Sequence, residues 1–245
     1  LERGRMAFHH QVALGIEKLY QERLEDYYDE LAHHYSRSDD PEKAIEYLLK
    51  AGEKAKRNYA NDTAISYYQS VLDMLEKHNI NRDDWKLEAL KGIGETYFMT
   101  CKYDEATNIL EKAISLAENM SIAPRQIVMI YHWLTETLFW RYQFDEVIRY
   151  GEKGLQLLGD DTECVEAALM NTCVAFSSRW KGDSKKHEEY IYRNIKFVMN
   201  LEYTKELRIA YDHIAQYFLH YSNDMETSLK WSKALERQAR KKNDI

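Results

Sequence analysis

Turn-forming residues are scarce in this sequence, with nine glycines and two prolines in 245 residues, where soluble domains average about 12%. A sheet protein needs such residues at every hairpin, so the scarcity excludes an all-β fold and points to long helices joined by short polar loops. Long apolar runs are missing as well. The richest stretch, residues 127–140, is broken by His132, Thr135, Glu136 and Thr137, leaving no segment of about 18 residues suited to span a bilayer. No secretory leader is read in the opening residues. Cysteine is limited to Cys101, Cys164 and Cys173, an odd number without metal-ligand spacing. They are expected to be buried or half-buried thiols of a reducing compartment, which places the protein in the cytoplasm. A large excess of one charge is absent too: 34 basic residues face 41 acidic ones, for a net charge of −7. With both signs interleaved, nothing favours nucleic acid or an anionic membrane as partner. The basic tail Arg237, Arg240, Lys241 and Lys242 reads as cations favoured at a helix C-terminus.

What is abundant suits packed helices: 19 tyrosines, with Leu, Ala, Glu and Lys at most other positions. A repeat is visible. Its clearest unit covers residues 84–119, with Ile93-Gly94 and Tyr97 in one helix, then Tyr103-Asp104-Glu105-Ala106, Leu110 and Ala113 in the next. Gly94, Ala106 and Ala113 let two helices approach, while Tyr97 and Leu110 fill the space between them. Those residue types at those offsets resemble the tetratricopeptide repeat. Leu134, Leu138, Phe144-Asp145-Glu146-Val147, Gly151 and Gly154 repeat the pattern 41 residues on. Looser copies follow at Val174-Ala175, Gly182-Asp183 and Ile191, then at Ala215, Leu219, Asn223-Asp224, Ser228 and Leu229. The period near 40 exceeds the common 34 and implies longer helices or loops.

Upstream, helices are expected over residues 20–35, 41–59 and 62–77. Asp40-Pro41 supplies a cap acceptor followed by a proline where no backbone donor is needed. Ala44, Leu48 and Ala51 match the second helix of a repeat, and so do Ala64, Tyr68 and Val71, so the helix pairing here stays open. The polar stretch 79–84 is the expected internal boundary, dividing an N-terminal helical segment, residues 1–80, from a repeat array, residues 81–245. A second loop with a breaker is expected at residues 121–124.

The string Glu30-Leu31-Ala32-His33-His34-Tyr35, followed by the run from Asp40-Pro41-Glu42-Lys43-Ala44-Ile45 to Lys54-Ala55, resembles the segment after the ATPase module in multidomain bacterial signalling proteins. These include ATPase-linked nucleotide cyclases and related ATP-dependent regulators. His9 or His10 with Val12, Leu14, Glu17 and Tyr20 resembles the helix preceding it there, and Tyr59-Ala60-Asn61 with Tyr67-Tyr68 continues the likeness. The close part covers roughly residues 5–75. It implies a nucleotide-binding module before Leu1, with the present chain a fragment of a larger protein. No catalytic residue of that family maps onto these positions.

The chemistry of an enzyme is not found. There is no GxxxxGK[ST] or GxGxxG phosphate loop; Gly92-x-Gly94 sits inside a helix. No GxSxG elbow or HExxH helix occurs, and His187-Glu188-Glu189 lacks a second histidine. Glu30 and His33 form one Glu-x-x-His where a di-iron bundle needs two. The doublets His9-His10 and His33-His34 point about 100° apart on a helix. No catalytic residue, metal or cofactor is therefore expected.

One constellation remains. Met99, Trp140, Trp180 and Tyr221 recur at intervals of 41, 40 and 41 residues, each at the end of a first helix. Phe98, Phe139, Arg179 and His220 precede them, and Glu95, Glu136, Phe176 and Tyr217 lie one turn earlier. Large rings there could grip a peptide or partner helix; the plainer alternative is that they pack between repeats, as periodic apolar residues usually do. Arg179, His132, His213 and His220 favour an acidic partner, while Glu95 and Glu136 pull the other way. The reading is an all-α, right-handed α-solenoid of about twelve helices, a non-catalytic protein-interaction or regulatory module. Its partner is a protein or peptide in the concave groove formed by Phe98, Met99, Phe139, Trp140, Phe176, Arg179, Trp180, Tyr217, His220 and Tyr221, or an attached ATPase or cyclase domain in cis. The alternative is a ligand- or peptide-sensing domain controlling an attached output domain.

Overall fold

Five left-handed turns set the fold of this protein, whose computed structural model describes residues 2–242. Leu1 and residues 243–245, the outer ends of the two expected segments, lie outside that range. Tyr59, Cys101, Tyr142, Gly182 and Asn223 each sit two residues past the last residue of a first helix or its cap and adopt positive φ, from 51° to 80°. At the first four, the next residue donates its backbone N–H five residues back: Ala60 to Ala55, Lys102 to Tyr97, Gln143 to Leu138 and Asp183 to Ser178, at 2.9–3.0 Å. This is the left-handed C-cap that satisfies orphan carbonyls and reverses the chain in three residues. Only one of these positions in five is glycine, which is why turn residues can be so scarce.

The described residues contain twelve α-helices and two 3₁₀ segments. In the first compact unit, Leu1–Met120, they are α1 (Glu2–Leu19), α2 (Tyr28–Tyr35), α3 (Pro41–Arg57), α4 (Asn61–Lys77), α5 (Asp83–Met99) and α6 (Tyr103–Glu118). In the second, Ser121–Ile245, they are α7 (Pro124–Trp140), α8 (Phe144–Leu158), α9 (Val165–Trp180), α10 (Ser184–Ile195), α11 (Arg208–His220) and α12 (Met225–Lys241). Neighbours pack as antiparallel-type pairs, α3 with α4, α5 with α6, α7 with α8, α9 with α10 and α11 with α12. First helices also touch the next first helix, as α3 does α5 and α7 does α9. The chain is an all-α helical-repeat protein.

One expectation needs correction, and one open pairing is resolved. Residues 20–35 are not one helix: Gln21–Tyr27 is a 3₁₀ segment with Arg23 at φ −142°, ψ 43°. There Tyr20 and Tyr27 stack with centroids 4.0 Å apart, and α2 starts afresh at Tyr28. Secondly, Ala44, Leu48 and Ala51 do not mark a second helix. The turn at Tyr59 and the contact with α5 make α3 a first helix, paired with α4. Small residues mislead because both helices of a pair need them for close approach. The Asp40 cap does form, accepting from the Lys43 N–H at 3.0 Å ahead of Pro41.

Small residues set the helix spacing. A Cβ on Gly92 would come within 2.4 Å of the Tyr68 ring, and one on Gly94 within 2.6 Å of Leu110. In the second unit a Cβ on Gly151 would stand 2.6 Å from Val174. Tyr68 and Leu110 are fully enclosed, so neither can yield. The polar loop around residues 79–84 lies within the first unit, between α4 and α5, which pack on each other. No described helix is long and apolar enough to cross a membrane.

Positive φ costs a non-glycine residue about 1–2 kcal/mol. Tyr59 is 78% exposed, so Tyr59→Gly should raise stability by about 1 kcal/mol, and Gly182→Ala should lower it by about as much. The two should shift the melting temperature in opposite directions; a shift in the same direction would contradict the shared turn.

Candidate functional site

In the second unit two of the first helices, α7 and α9, end on exposed indoles. Trp140 is 54% and Trp180 60% exposed, because each is the last residue before a left-handed turn that carries the chain away. The turn after α7 then presents Tyr142, and α8 begins with Phe144. These residues, with Phe139, Phe176 and Glu136, line a cavity of about 370 Å³ completed by Val147, Thr172, Cys173 and Ile209. Its rings brace one another. Phe139 meets Phe176 edge-on at 5.8 Å and Phe144 at 5.6 Å, and Phe144 stacks on Trp180 at 6.1 Å with planes 10° apart. Aromatic pairs at such distances contribute about 0.5–1.5 kcal/mol beyond their burial, so the walls hold their shape without a ligand.

The polar content of the cavity is small. The Cys173 thiol donates to Glu136 Oε1 at 3.5 Å and lies 3.3 Å from the Thr135 hydroxyl. Burial, and the Glu136 charge beside it, push this thiol well above its ordinary pKa, so it stays protonated. One donor atom each from His132, Glu136 and Cys173 lies within 4.8 Å of the others, a set of the kind that binds zinc. The sequence reading missed it because Cys173 joins an i, i+4 pair from the neighbouring first helix, 37 positions beyond Glu136.

The remaining expected residues fall into separate places. Tyr217 is buried, donating to Glu188 at 2.9 Å, with burial and that bond pushing its hydroxyl up to about 12. It stacks on exposed Tyr221 at 6.1 Å, and the Arg179 guanidinium sits 5.0 Å from the Tyr221 ring. His220 is exposed. None of these four lines the cavity. His213 stacks on Phe176 at 3.7 Å, and neither ring nitrogen has a hydrogen-bond partner among the described residues. Burial, then the nearby His187 and Arg179, hold it well below the usual histidine range, so it is neutral at pH 7. His132 is buried as well. The expected rim of histidines for an acidic partner is therefore corrected: two of the three are inside the packing. In the first unit Phe98 is half-buried 6.0 Å from Tyr103, Met99 is exposed at the end of α5, and Glu95 is paired with Lys56 at 2.6 Å. The thiols divide likewise: Cys164 and Cys173 are buried, but Cys101 is exposed, since it occupies a left-handed turn.

A wider recess of about 640 Å³, lined by residues of α8, α9, α10 and the adjoining loops, is more polar than the aromatic cavity. Its Glu152 is already held by Lys186 at 2.7 Å and Tyr190 at 3.1 Å. The aromatic cavity is smaller, but its apolar walls leave more to gain from a ligand.

No family model and no curated protein matches this chain. Solved structures do. The Rap conjugation gene regulator of the plasmid pLS20, in complex with the Phr* peptide, superposes with a TM-score of 0.69 at 14% identity over 99% of this chain and 76% of that one. BtubC (BKLC) from P. vanneervenii gives 0.66 at 12% over 100% and 93%. A Podosopora anserina chain of nearly identical TPR-like repeats gives 0.60 at 11% over 84% and 99%. The fold is that of the tetratricopeptide-like solenoids. Such a fold suits a protein-interaction module.

Trp180→Ala should change stability by about 1 kcal/mol or less, because the ring is mostly solvated. Leu134→Ala, at a fully enclosed position of α7, should cost about 2–5 kcal/mol. Urea unfolding of both variants checks this; equal losses would make Trp180 a packing residue.

Proposed function

We propose that the protein is a non-catalytic regulatory module that binds an extended peptide or a segment of a partner protein at the ends of α7 and α9. The observation that carries this reading is the aromatic cavity with Trp140 and Trp180 exposed at its mouth. Large rigid rings give contact area at small entropic cost, and exposed indoles over a preformed pocket are the residue type most often dominant in binding. The likeness to a regulator described with a bound peptide supports the same reading. Phe98 and Met99 extend the proposal to the first unit as further contacts, and Arg179, Tyr217, His220 and Tyr221 as contacts beyond the cavity. The division at residues 80 and 81 belongs to the proposal too, as the point where a linking segment gives way to the binding array.

A specific observation favours a second, compatible reading, in which the module controls an attached ATPase or nucleotide cyclase in the cytoplasm. It is the contiguous string over residues 30–55 that resembles the region after such ATPase modules. The cavity, large enough to enclose a side chain or small effector, would then act as the sensor.

Selection from a random peptide library on the intact chain tests the first reading. Recovered peptides should lose about 30-fold in affinity on Trp140→Ala or Trp180→Ala, equivalent to about 2 kcal/mol. Failure to enrich any peptide, or peptides indifferent to both changes, would refute it.

A further inference from the structure

We infer that the aromatic cavity takes a cationic side chain, the guanidinium or ammonium group of an arginine or lysine in the bound peptide, with Glu136 as its counter-ion. This rests on the peptide-binding reading and adds the charge of the anchor. Glu136 is half-buried one turn before Phe139-Trp140, and it is the charged residue lining the cavity. Its hydrogen-bond partner among the described residues is the protonated Cys173 thiol, a weak donor at 3.5 Å. Several other half-buried carboxylates are answered by lysine. Lys56 holds Glu95 at 2.6 Å and Glu53 at 2.9 Å, Lys43 reaches Glu17 at 3.3 Å, and Lys50 holds Glu46 at 2.6 Å. Glu136 has no lysine or arginine partner among the described residues, and a bound cation would supply the charge-assisted hydrogen bond that the thiol does not.

Beside Glu136 stands the buried His132, with a ring nitrogen within 4.8 Å of the carboxylate, while the neighbouring arginine and lysine side chains are turned elsewhere. Arg179 lies over Tyr221, Lys181 pairs with Asp145, and Arg141 donates to Gln143 Oε1 at 3.4 Å. Meanwhile Phe139, Phe144, Phe176 and the two indoles surround the place that a cation would occupy. Ring faces attract cations, most strongly where water is excluded. A wall of rings with one carboxylate thus discriminates by charge: it welcomes Arg or Lys, tolerates a neutral side chain, and rejects Asp or Glu. The zinc-type donor set at the same carboxylate offers a different occupant, but a bare ion would leave most of the 370 Å³ between the rings unfilled.

The test uses benzylguanidinium, benzyl alcohol and phenylacetate, three probes of similar size and opposite or no charge. Each is titrated into the intact chain in the presence of a chelator, following the indole N–H signals of Trp140 and Trp180 by NMR. Benzylguanidinium should bind at least tenfold more tightly than benzyl alcohol, and phenylacetate most weakly. Glu136→Gln should abolish the preference for the cation while keeping the affinity for the alcohol. Should that variant fail to fold, Glu136→Asp should retain the preference in weakened form. Equal affinities for the three probes would overturn the inference, as would a preference that survives in Glu136→Gln or is unchanged in Glu136→Asp. So would stoichiometric Zn²⁺ binding that excludes the guanidinium. Peptides that bind without any basic anchor would defeat this inference and leave the peptide reading intact. Cation selectivity in a chain that enriches no peptide would do the reverse.

Discussion

The left-handed residue that closes each first helix is the constraint on which the structure depends. It fixes where one helix stops, satisfies the carbonyls left open there, and starts the partner helix two residues later. Because Tyr59, Cys101, Tyr142, Gly182 and Asn223 stand about 41 residues apart, the pairs are built to one length. The close approach at Gly92, Gly94 and Gly151 then sets their separation. Backbone geometry thus establishes the period, and side chains need only be small where helices touch.

The same constraint creates the site. A residue two before the turn has finished its helical hydrogen bonds yet has not entered the next helix, so its side chain projects from the packed layer. At Trp140 and Trp180 that position carries an indole, and the turn residue Tyr142 and helix-start residue Phe144 enclose the space between them. Stability and the proposed recognition therefore fall on different residues. Leu134, Val174 and Met170 are enclosed, whereas the indoles are mostly solvated. This separation lets the rim vary, from Met99 to Trp140 to Tyr221, without disturbing the repeat beneath it.

Much of the fold was legible because its signals are local. Scarce glycine and proline, the Tyr103 and Phe144 helix starts, and the period near 41 all point to paired helices. The pairing of α3 was not legible, since small residues occur on both helices of a pair and the deciding turn is marked by Tyr59, a residue with no turn preference. The lining of the candidate site was legible where it follows the period, at Phe139, Trp140, Phe176 and Trp180. It was lost where tertiary packing decides: Tyr142 by an unexpected positive φ, Cys173 by lying across from Glu136, and Tyr217 and His213 by being drawn into the interior.

The central claim is that the ends of α7 and α9 form the binding surface. Hydrogen exchange of the intact chain, with and without its tightest-binding peptide, tests this most directly. The account predicts slowed exchange at the 141–143 turn, the start of α8 and the last turns of α7 and α9. Slowing confined to the first unit, or to α10 and α12, would contradict it.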